Sequence, residues 1–380
     1  MLYSPDWQEW GFLLTGSLND KMSGRLNNGK EPGATTLKSV ARHVGLSAGT
    51  VSSVLNNSPS AAHIPQATRD RIHAAARELN YRPNLLARSL RKQRTYTLGI
   101  IANDLGDAYT SLVIAGIEKF LRQNDYFFIS GVHHHKRDQL EAYSDMLMQR
   151  GVEGVILVDW NSEYTHSLPT VAVSGHRQSE GVTNIVLNHH SAIFAALKHL
   201  VDLGHRDIAF MRGHPASADA ETRWQAICEI APQLGITLKD ELVIQFDVEE
   251  FSPELGYPFA KQLLARNKPF TALFAYNDLS AIGAMRAFQE SGLRIPQDIS
   301  VIGFDDIPVA VYYYPSLTTL RQPLGAMGEL AARTLVERIE GKESFSSEIA
   351  VEGELVIRES TGPAPTEPSN RNRTADLVKA

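Results

Sequence analysis

The sequence predicts an N-terminal all-α helix-turn-helix domain joined to an α/β core of two doubly wound parallel-sheet lobes. Three observations carry this expectation. Two short apolar stripes of helical spacing flank a glycine between Thr36 and Asn57. From Tyr96 onward, apolar runs alternate with amphipathic segments, the pattern of buried parallel strands and their covering helices. The runs are too many for one compact sheet, and 380 residues are long for a single domain.

Residues 1–33 carry Trp7, Trp10 and Phe12, followed by a Gly/Asn/Lys stretch without period. They are expected to be a disordered tail, with Met22 an alternative native start. Residues 34–83 form the α module. Leu37, Val40, Ala41 and Val44 fall at i, i+3, i+4 and i+7, one stripe of a helix. Gly45 suits the left-handed conformation that ends a helix. Leu46 plugs the turn, and Ser47 caps the next helix by accepting an orphan N–H. Val51, Val54 and Leu55 give that helix its own buried face. This layout places a second helix in a DNA major groove; an ordinary helical hairpin is the alternative. Asn57, Ser58, Pro59 and Pro65 mark a loop. A third helix runs from about Gln66 to Asn80, with Ile72, Ala75, Ala76 and Leu79 inward. Tyr81-Arg82-Pro83-Asn84 breaks the chain. Asn84 then caps a short helix near Leu85–Arg91, too short to be stable alone. Residues 84–95 are the hinge helix and linker.

Residues 96–361 make the two-lobed core. Its strands are expected at Thr97–Ala102, Phe127–Ser130, Gly154–Val158, Val171–Ser174, Asn184–Leu187, Ile208–Met211, Thr271–Ala275 and Ile299–Phe304. Helices such as Tyr109–Asn124, Gln139–Gly151, Ser191–Leu203, Pro253–Ala265 and Leu279–Ser291 lie between them. Residues 362–380, rich in Pro, Ser, Asn and Thr, are expected to be disordered.

The net charge of -6 hides an asymmetry. Between Ala34 and Arg94 ten Lys and Arg face two acids, a local +8 that leaves -14 for the rest. A basic module on an acidic body is the footprint of a nucleic-acid binder; a merely solvated face is the alternative. The single cysteine, Cys228, excludes an internal disulfide, fits a reducing cytoplasm and is expected as a small buried residue. No stretch approaches the roughly 20 apolar residues of a membrane span. The N-terminus shows no secretory signal pattern.

Ligands of open parallel sheets bind beyond the carboxyl ends of the strands. Asn103, Asp104 and Asp107 follow the first strand, Asn277 and Asp278 follow Leu273–Tyr276, and Asp305 and Asp306 follow Val301–Phe304. Amides and carboxylates there suit paired bonds to sugar hydroxyls. Asp278 is better explained as a cap for the helix behind it, and Asp306 as serving the turn around Pro308. His133-His134-His135 invites a metal reading, but consecutive strand residues point in alternate directions, so no metal is expected. There is no Walker loop, nucleophile elbow or zinc-protease helix, so no cofactor and no enzymatic activity are expected.

Taken together, the motifs resemble the lactose/galactose-repressor (LacI/GalR) family of transcriptional regulators. The likeness covers Thr36 to about Thr361. TTLKSVARHVGLSAGTVSSVLN resembles the family's DNA-reading helices and LNYRPNLLARSL its hinge. LGHRDIAFMRG at 203–213, FAYNDLSAIGAMRAF at 274–288, ISVIGFDDIP at 299–308 and SLTTLRQPLGAMG at 316–328 resemble its effector-binding core. Their order and spacing together make the match specific. The resemblance implies a periplasmic-binding-protein-like core and a homodimer on a near-palindromic operator in double-stranded DNA. It also implies control by a small-molecule effector, a sugar or related metabolite.

It further implies that the paired hinge enters the minor groove. Leu90 would wedge between base pairs and Ala87 would lie at the close helix contact, with Asn84 and Arg88 beside them. A wedge bends the duplex at a cost offset by added contacts; packing of Leu90 on the core is the alternative. By motif match, Arg223, Phe251, Asn277 and Asp305 are effector contacts, joined by Asn103 and Asp107 from the first strand end. The reading surface comprises Thr36, Ser47, Ala48, Gly49, Thr50, Ser52, Ser53 and Asn56. It departs from the family at Ala48 and Gly49, and at Ser53, where an arginine is common. Serine discriminates bases less than arginine, so DNA shape is expected to contribute, unless Ser53 is a spectator facing phosphate. Asn188-His189-His190 departs from the Asp-rich pattern usual there, which unsettles the sugar's identity. The rival readings are a periplasmic-type sugar-binding protein and a Rossmann-like enzyme.

Overall fold

The computed structural model describes residues 35–56, 58–81, 94–160, 167–247, 253–341 and 346–366. The chain divides into two compact units, one up to Arg91 and one from Lys92.

The first unit holds α1 (Leu37–Val44), α2 (Ala48–Leu55) and α3 (Gln66–Glu78), with a 3-10 turn at Pro59–His63. Thr36 accepts from the Ser39 N–H while the Ser39 hydroxyl accepts from the Thr36 N–H, a reciprocal cap. Gly45 ends α1 at φ 66°, where a Cβ would be strained. Ser47 starts α2 by accepting from the Thr50 N–H. Val40, Ala41, Val44, Val51, Val54, Ile72, Ala75 and Ala76 form one buried cluster, with Leu37, Leu46, Leu55 and Leu79 at its margin. The stripes read from the sequence are thus the faces that pack. Arg71 of α3 donates to the Val44 carbonyl at 2.6 Å, so at least one of the module's cations serves the fold.

The second unit holds β1 (Thr97–Ala102), β2 (Phe127–Val132), β3 (Val155–Val158), β4 (Thr170–Val173), β5 (Val182–Leu187), β6 (Ile208–Arg212), β7 (Val243–Gln245), β8 (Ala272–Phe274), β9 (Ser300–Asp305), β10 (Thr318–Arg321), β11 (Glu348–Val351) and β12 (Glu354–Val356). Its helices are α4 (Ala108–Gln123), α5 (Arg137–Gln149), α6 (His189–Asp202), α7 (Ala218–Gln233), α8 (Pro253–Ala265), α9 (Asp278–Glu290) and α10 (Leu324–Ile339). The first sheet has the order β11-β5-β4-β3-β1-β2 and the second β12-β10-β9-β8-β6-β7. Every pairing is parallel except β10 with β12. The chain therefore crosses between lobes three times: after β5, after β10 and after β11. Leu324, Met327, Ala331 and Leu335 of α10 pack with Leu98, Val113 and Ile117 of the first lobe. Ala192, Ile193 and Leu197 of α6 pack with Phe210, Phe274 and Ile302 of the second. The first crossing thus lies between Leu187 and His189.

Several expectations are corrected. Arg94 pairs with Glu153 at 2.9 Å, and the Tyr96 N–H donates to the same carboxylate, so the core begins ahead of Tyr96. It also continues past Thr361. The Gly362 N–H donates to Ser300 Oγ at 3.0 Å, its carbonyl accepts from His205, and the Ala364 N–H donates to Leu203. Cys228 is exposed, because it stands on the outer face of α7 between the inward Ile227 and Ile230. The α9 cap is Asn277, which accepts from the Ser280 N–H; Asp278 instead points inward. Asp306 accepts from Arg321 at 2.7 Å and Arg358 at 2.6 Å, a strand-end ion-pair cluster in place of a turn cap.

Asp278 is fully buried. It accepts from the Ile307 N–H at 2.8 Å and from Thr319 Oγ1 at 2.5 Å. Burial pushes its carboxyl up to about 7, against the pull of those two donors. Its folded-state value lies above the unfolded one, so the stability it contributes is full below about pH 4 and is lost as pH rises through about 7. The Asp278→Asn variant keeps a group that bonds both partners without charge. Denaturant titrations at pH 5 and pH 8 are expected to show the wild type losing stability by a margin on the order of 3 kcal/mol larger than Asp278→Asn. Equal losses in the two proteins would contradict this role.

Candidate functional site

In the α module, Thr36, Ser47 and Gly49 are exposed, and Ala48, Thr50, Ser53 and Asn56 are half-buried. Ser52 departs from expectation. It is 6% exposed, on the inner side of α2, with the Asn56 amide donating to its carbonyl at 2.8 Å and its hydroxyl at 3.1 Å. Ser53 Oγ receives a bond from Ser60 Oγ at 3.1 Å, which leaves it a weaker reader than a free hydroxyl. Lys38, Arg42 and Arg77 stand exposed on the same unit. Asn84, Ala87, Arg88, Leu90 and Phe251 lie outside the described residues.

In the second unit, a cleft opens between the lobes at the carboxyl ends of the strands. The first lobe contributes Asp107, Tyr109 and Asp159; the second contributes Ser217, Asp219, Arg223, Tyr276, Asn277 and Asp305. The free space is about 30 Å³, room for a water or two, so the lobes stand closed over it. Four of the six effector contacts expected from the sequence line it. Asn103 is buried at the end of β1 but does not. The sequence reading missed Tyr109, Asp159, Ser217, Asp219 and Tyr276. Asp159 follows a strand that was recognised, so strand-end position alone signals it.

The cleft is tightly organised. Asp107 caps α4, accepting from the Thr110 N–H at 3.2 Å. Asp159 crosses the lobes to cap α7, accepting from the Ala218 N–H at 2.8 Å. Ser217 bonds the Tyr276 hydroxyl at 2.7 Å, and Tyr109 bonds Ser174. The Arg223 guanidinium lies 3.6 Å from the Phe304 ring centroid and 4.7 Å from that of Tyr276. It also donates to the Tyr276 carbonyl. Asp305 Oδ1 accepts from Gln322 at 2.7 Å. Asp159, Ser174 and Asp305 adopt positive φ, 55°, 54° and 112°, strain of the kind that gathers at ligand sites.

Burial raises the Asp107 carboxyl to about 6, against the N–H groups of Thr110 and Tyr109. Burial also holds Asp305 well above the usual range although Arg223 opposes it. Asp219 goes the other way. Burial would raise it, but hydrogen bonds from His176 and His189 hold it well below the ordinary value. Asn103 Oδ1, His189 Nδ1, Arg223 Nε and Gln322 Oε1 are buried without a partner among the described residues. Such groups call for a water or a ligand. A larger groove beside Arg294 and Tyr314 encloses about 560 Å³, but its charged groups are spent on Asp298 and Ser316.

The three adjacent histidines go to different neighbours. His133 bonds the Val158 carbonyl at 3.1 Å and accepts from the His135 N–H. His135 Nε2 stands 3.4 Å from Asp159. Burial lowers His133 to about 4, so it stays neutral. No helix among the described residues is long and apolar enough to cross a membrane.

Residues 36–84 match the profile of bacterial regulatory proteins of the lacI family, and residues 197–361 match the periplasmic binding protein-like domain. The HTH-type transcriptional repressor PurR of Erwinia tasmaniensis is 34% identical over 341 residues, covering 87% of this chain and 98% of that protein. The lac repressor dimer bound to operator and the anti-inducer ONPF superposes with a TM-score of 0.75 at 27% identity, over 87% of this chain and 99% of that one. The transcriptional regulator CelR in complex with cellobiose superposes with a TM-score of 0.62 at 26% identity, over 86% and 99%. The chain thus belongs to the lacI family of bacterial regulatory proteins, as a DNA-binding transcriptional repressor that dimerises and answers to a small-molecule effector.

Proposed function

We propose that the effector occupies the interlobe cleft and is a polyhydroxylated small molecule of the carbohydrate class. The observation that carries this is the convergence of Asp107 and Asp159 from one lobe with Asp219, Arg223, Asn277 and Asp305 from the other. Acids and amides in pairs suit hydroxyls, and Arg223 among them packs on the Phe304 and Tyr276 rings. The cellobiose complex of CelR supports that class. Asp107 and Asp305 are held high by burial, which favours a neutral hydroxyl donor over a cation. Ligand entry parts the lobes, and the change in their closure is what the DNA module senses.

On the DNA side, Thr36, Ser47, Ala48, Gly49, Thr50, Ser53 and Asn56 meet the major groove. Asn84, Ala87, Arg88 and Leu90 meet the minor groove, and two copies read a near-palindromic site. The protein works in the cytoplasm as a sensor, with no catalytic step.

The test is selection of bound sequences from random duplex DNA, followed by a screen of metabolites for their effect on affinity for the selected site. Two inverted half-sites and a carbohydrate that shifts affinity are expected. Leu90→Ala is expected to weaken the selected duplex more than random duplex; equal losses would exclude the wedge. An effector response left intact by Asp305→Ala would move the effector out of the cleft.

A further inference from the structure

Beside the cleft, three metal-ligating groups from separate stretches of chain meet. His176 follows β4 of the first lobe, His189 opens α6 just past the first crossing, and Asp219 stands in the first turn of α7 in the second lobe. Their ligand atoms all lie within 4.8 Å of one another. The two Nε2 atoms approach the same Asp219 Oδ1, His176 at 2.5 Å and His189 at 3.2 Å. His189 and Asp219 are each 4% exposed, while His176 keeps a path to solvent. The His189 ring stacks on Phe304 at 6.0 Å, and the second Asp219 oxygen faces Arg223 at 3.7 Å. Two of the three ligands are therefore held in place by their surroundings.

We propose that His176, His189 and Asp219 bind one divalent transition-metal ion, with Zn²⁺ the fitting case, and that the ion ties the two lobes together. Two imidazoles and a carboxylate are a donor set that zinc accepts; magnesium and calcium prefer oxygen alone. Ligands around tetrahedral zinc stand about 3.3 Å apart, from bonds of about 2.0 Å. His189 and Asp219 already have that spacing. His176 must retreat by about 0.8 Å as the metal bond replaces its hydrogen bond to Asp219. Each ring binds as neutral imidazole, with its proton on Nδ1. Because ligands come from both lobes, a bound ion favours the closed arrangement. Asp219 also lines the cleft, so metal and effector occupancy are linked.

The site rests on these three side chains and not on what the effector is, so the test uses the metal alone. The full chain is stripped with chelator, dialysed against Zn²⁺ or Mg²⁺, and assayed for bound metal and for melting temperature. One Zn²⁺ per chain is expected, and no Mg²⁺. At a hundredfold excess over Kd, Tm is expected to rise by about 5 °C. His176→Ala and His189→Gln are each expected to weaken zinc binding at least tenfold and to abolish the rise in Tm, while His134→Ala retains both. If His189→Gln does not fold, His176→Ala decides alone, since His176 is only half-buried. The proposal is overturned by substoichiometric zinc in the wild type, by zinc retained in His176→Ala, or by zinc lost in His134→Ala.

Discussion

Arg223→Ala is expected to abolish the effector response and to lower effector affinity at least about a hundredfold, or about 3 kcal/mol. Arg223 is 4% exposed and makes four contacts with three residues: the Phe304 and Tyr276 rings, the Tyr276 carbonyl and Asp219. Its positive charge is the counterweight to Asp219, 3.7 Å away, in a cleft with room for only a water or two. Removing it takes a paired cation from the buried Asp219 carboxylate, which costs about 3–5 kcal/mol of stability. Operator affinity without effector is expected to stay within about threefold of the wild type, because the DNA-reading helices form a separate compact unit and distant sites are close to additive. Arg223→Lys keeps the charge but loses the planar fork, so an intermediate response is expected. Operator titrations across effector concentration check both variants. A wild-type response in Arg223→Ala would remove the cleft from the mechanism.

The second large effect falls on the scaffold that positions the cleft. Gly116→Ala is expected to destabilise the first lobe by at least about 3 kcal/mol. A Cβ on Gly116 of α4 would sit 1.9 Å from the Gly325 carbonyl oxygen of α10 and 2.7 Å from its carbon. Both atoms are backbone, so no side-chain rotation relieves the clash. Gly328, one turn along α10, is equally hemmed in, its Cβ position lying 2.1 Å from the Val113 carbonyl oxygen. Gly325→Ala is the control, because a Cβ there meets nothing within 4 Å and alanine favours helix over glycine by about 1 kcal/mol. Chemical denaturation is expected to place the two variants on opposite sides of the wild type. Equal stabilities would show that the helices separate more readily than their contact implies.

Much of this architecture was legible from residue patterns, for physical reasons. Central strands such as β1 and β3 are buried on both faces, so they read as unbroken apolar runs. The strands that were missed, β7, β10, β11 and β12, are three or four residues long, and three of them lie at sheet edges. There one side chain in two meets water and the run dissolves; β11 alternates exposed and half-buried residues. Helix α7 was missed because its first turn is small and polar and Pro232 sits near its end. In the cleft, Asp107, Arg223, Asn277 and Asp305 were accessible through strand-end position or motif. Asp219, Ser217 and Tyr276 were not, because they follow two strands, β6 and β8, that are neighbours in the second sheet but far apart in the chain. The histidines show the same limit. The adjacent trio His133–His135 stands out in the sequence, yet the pair that converges on one carboxylate is His176 and His189, thirteen residues apart in sequence. Ser52 reads as a polar residue on a recognition helix, but Asn56 folds back over it and α2 turns it inward.

The central claim is that a ligand in the interlobe cleft and DNA on the helix-turn-helix units report on one conformational equilibrium. The most direct measurement is effector affinity, determined once for the free dimer and once for the dimer saturated with its selected operator. Linkage requires the operator to change effector affinity by the same factor by which effector changes operator affinity, a factor of about 5–150 for a coupling of about 1–3 kcal/mol. Equal and reciprocal factors are predicted, lost together in Asp305→Ala. An effector affinity that is the same with and without operator would contradict the account.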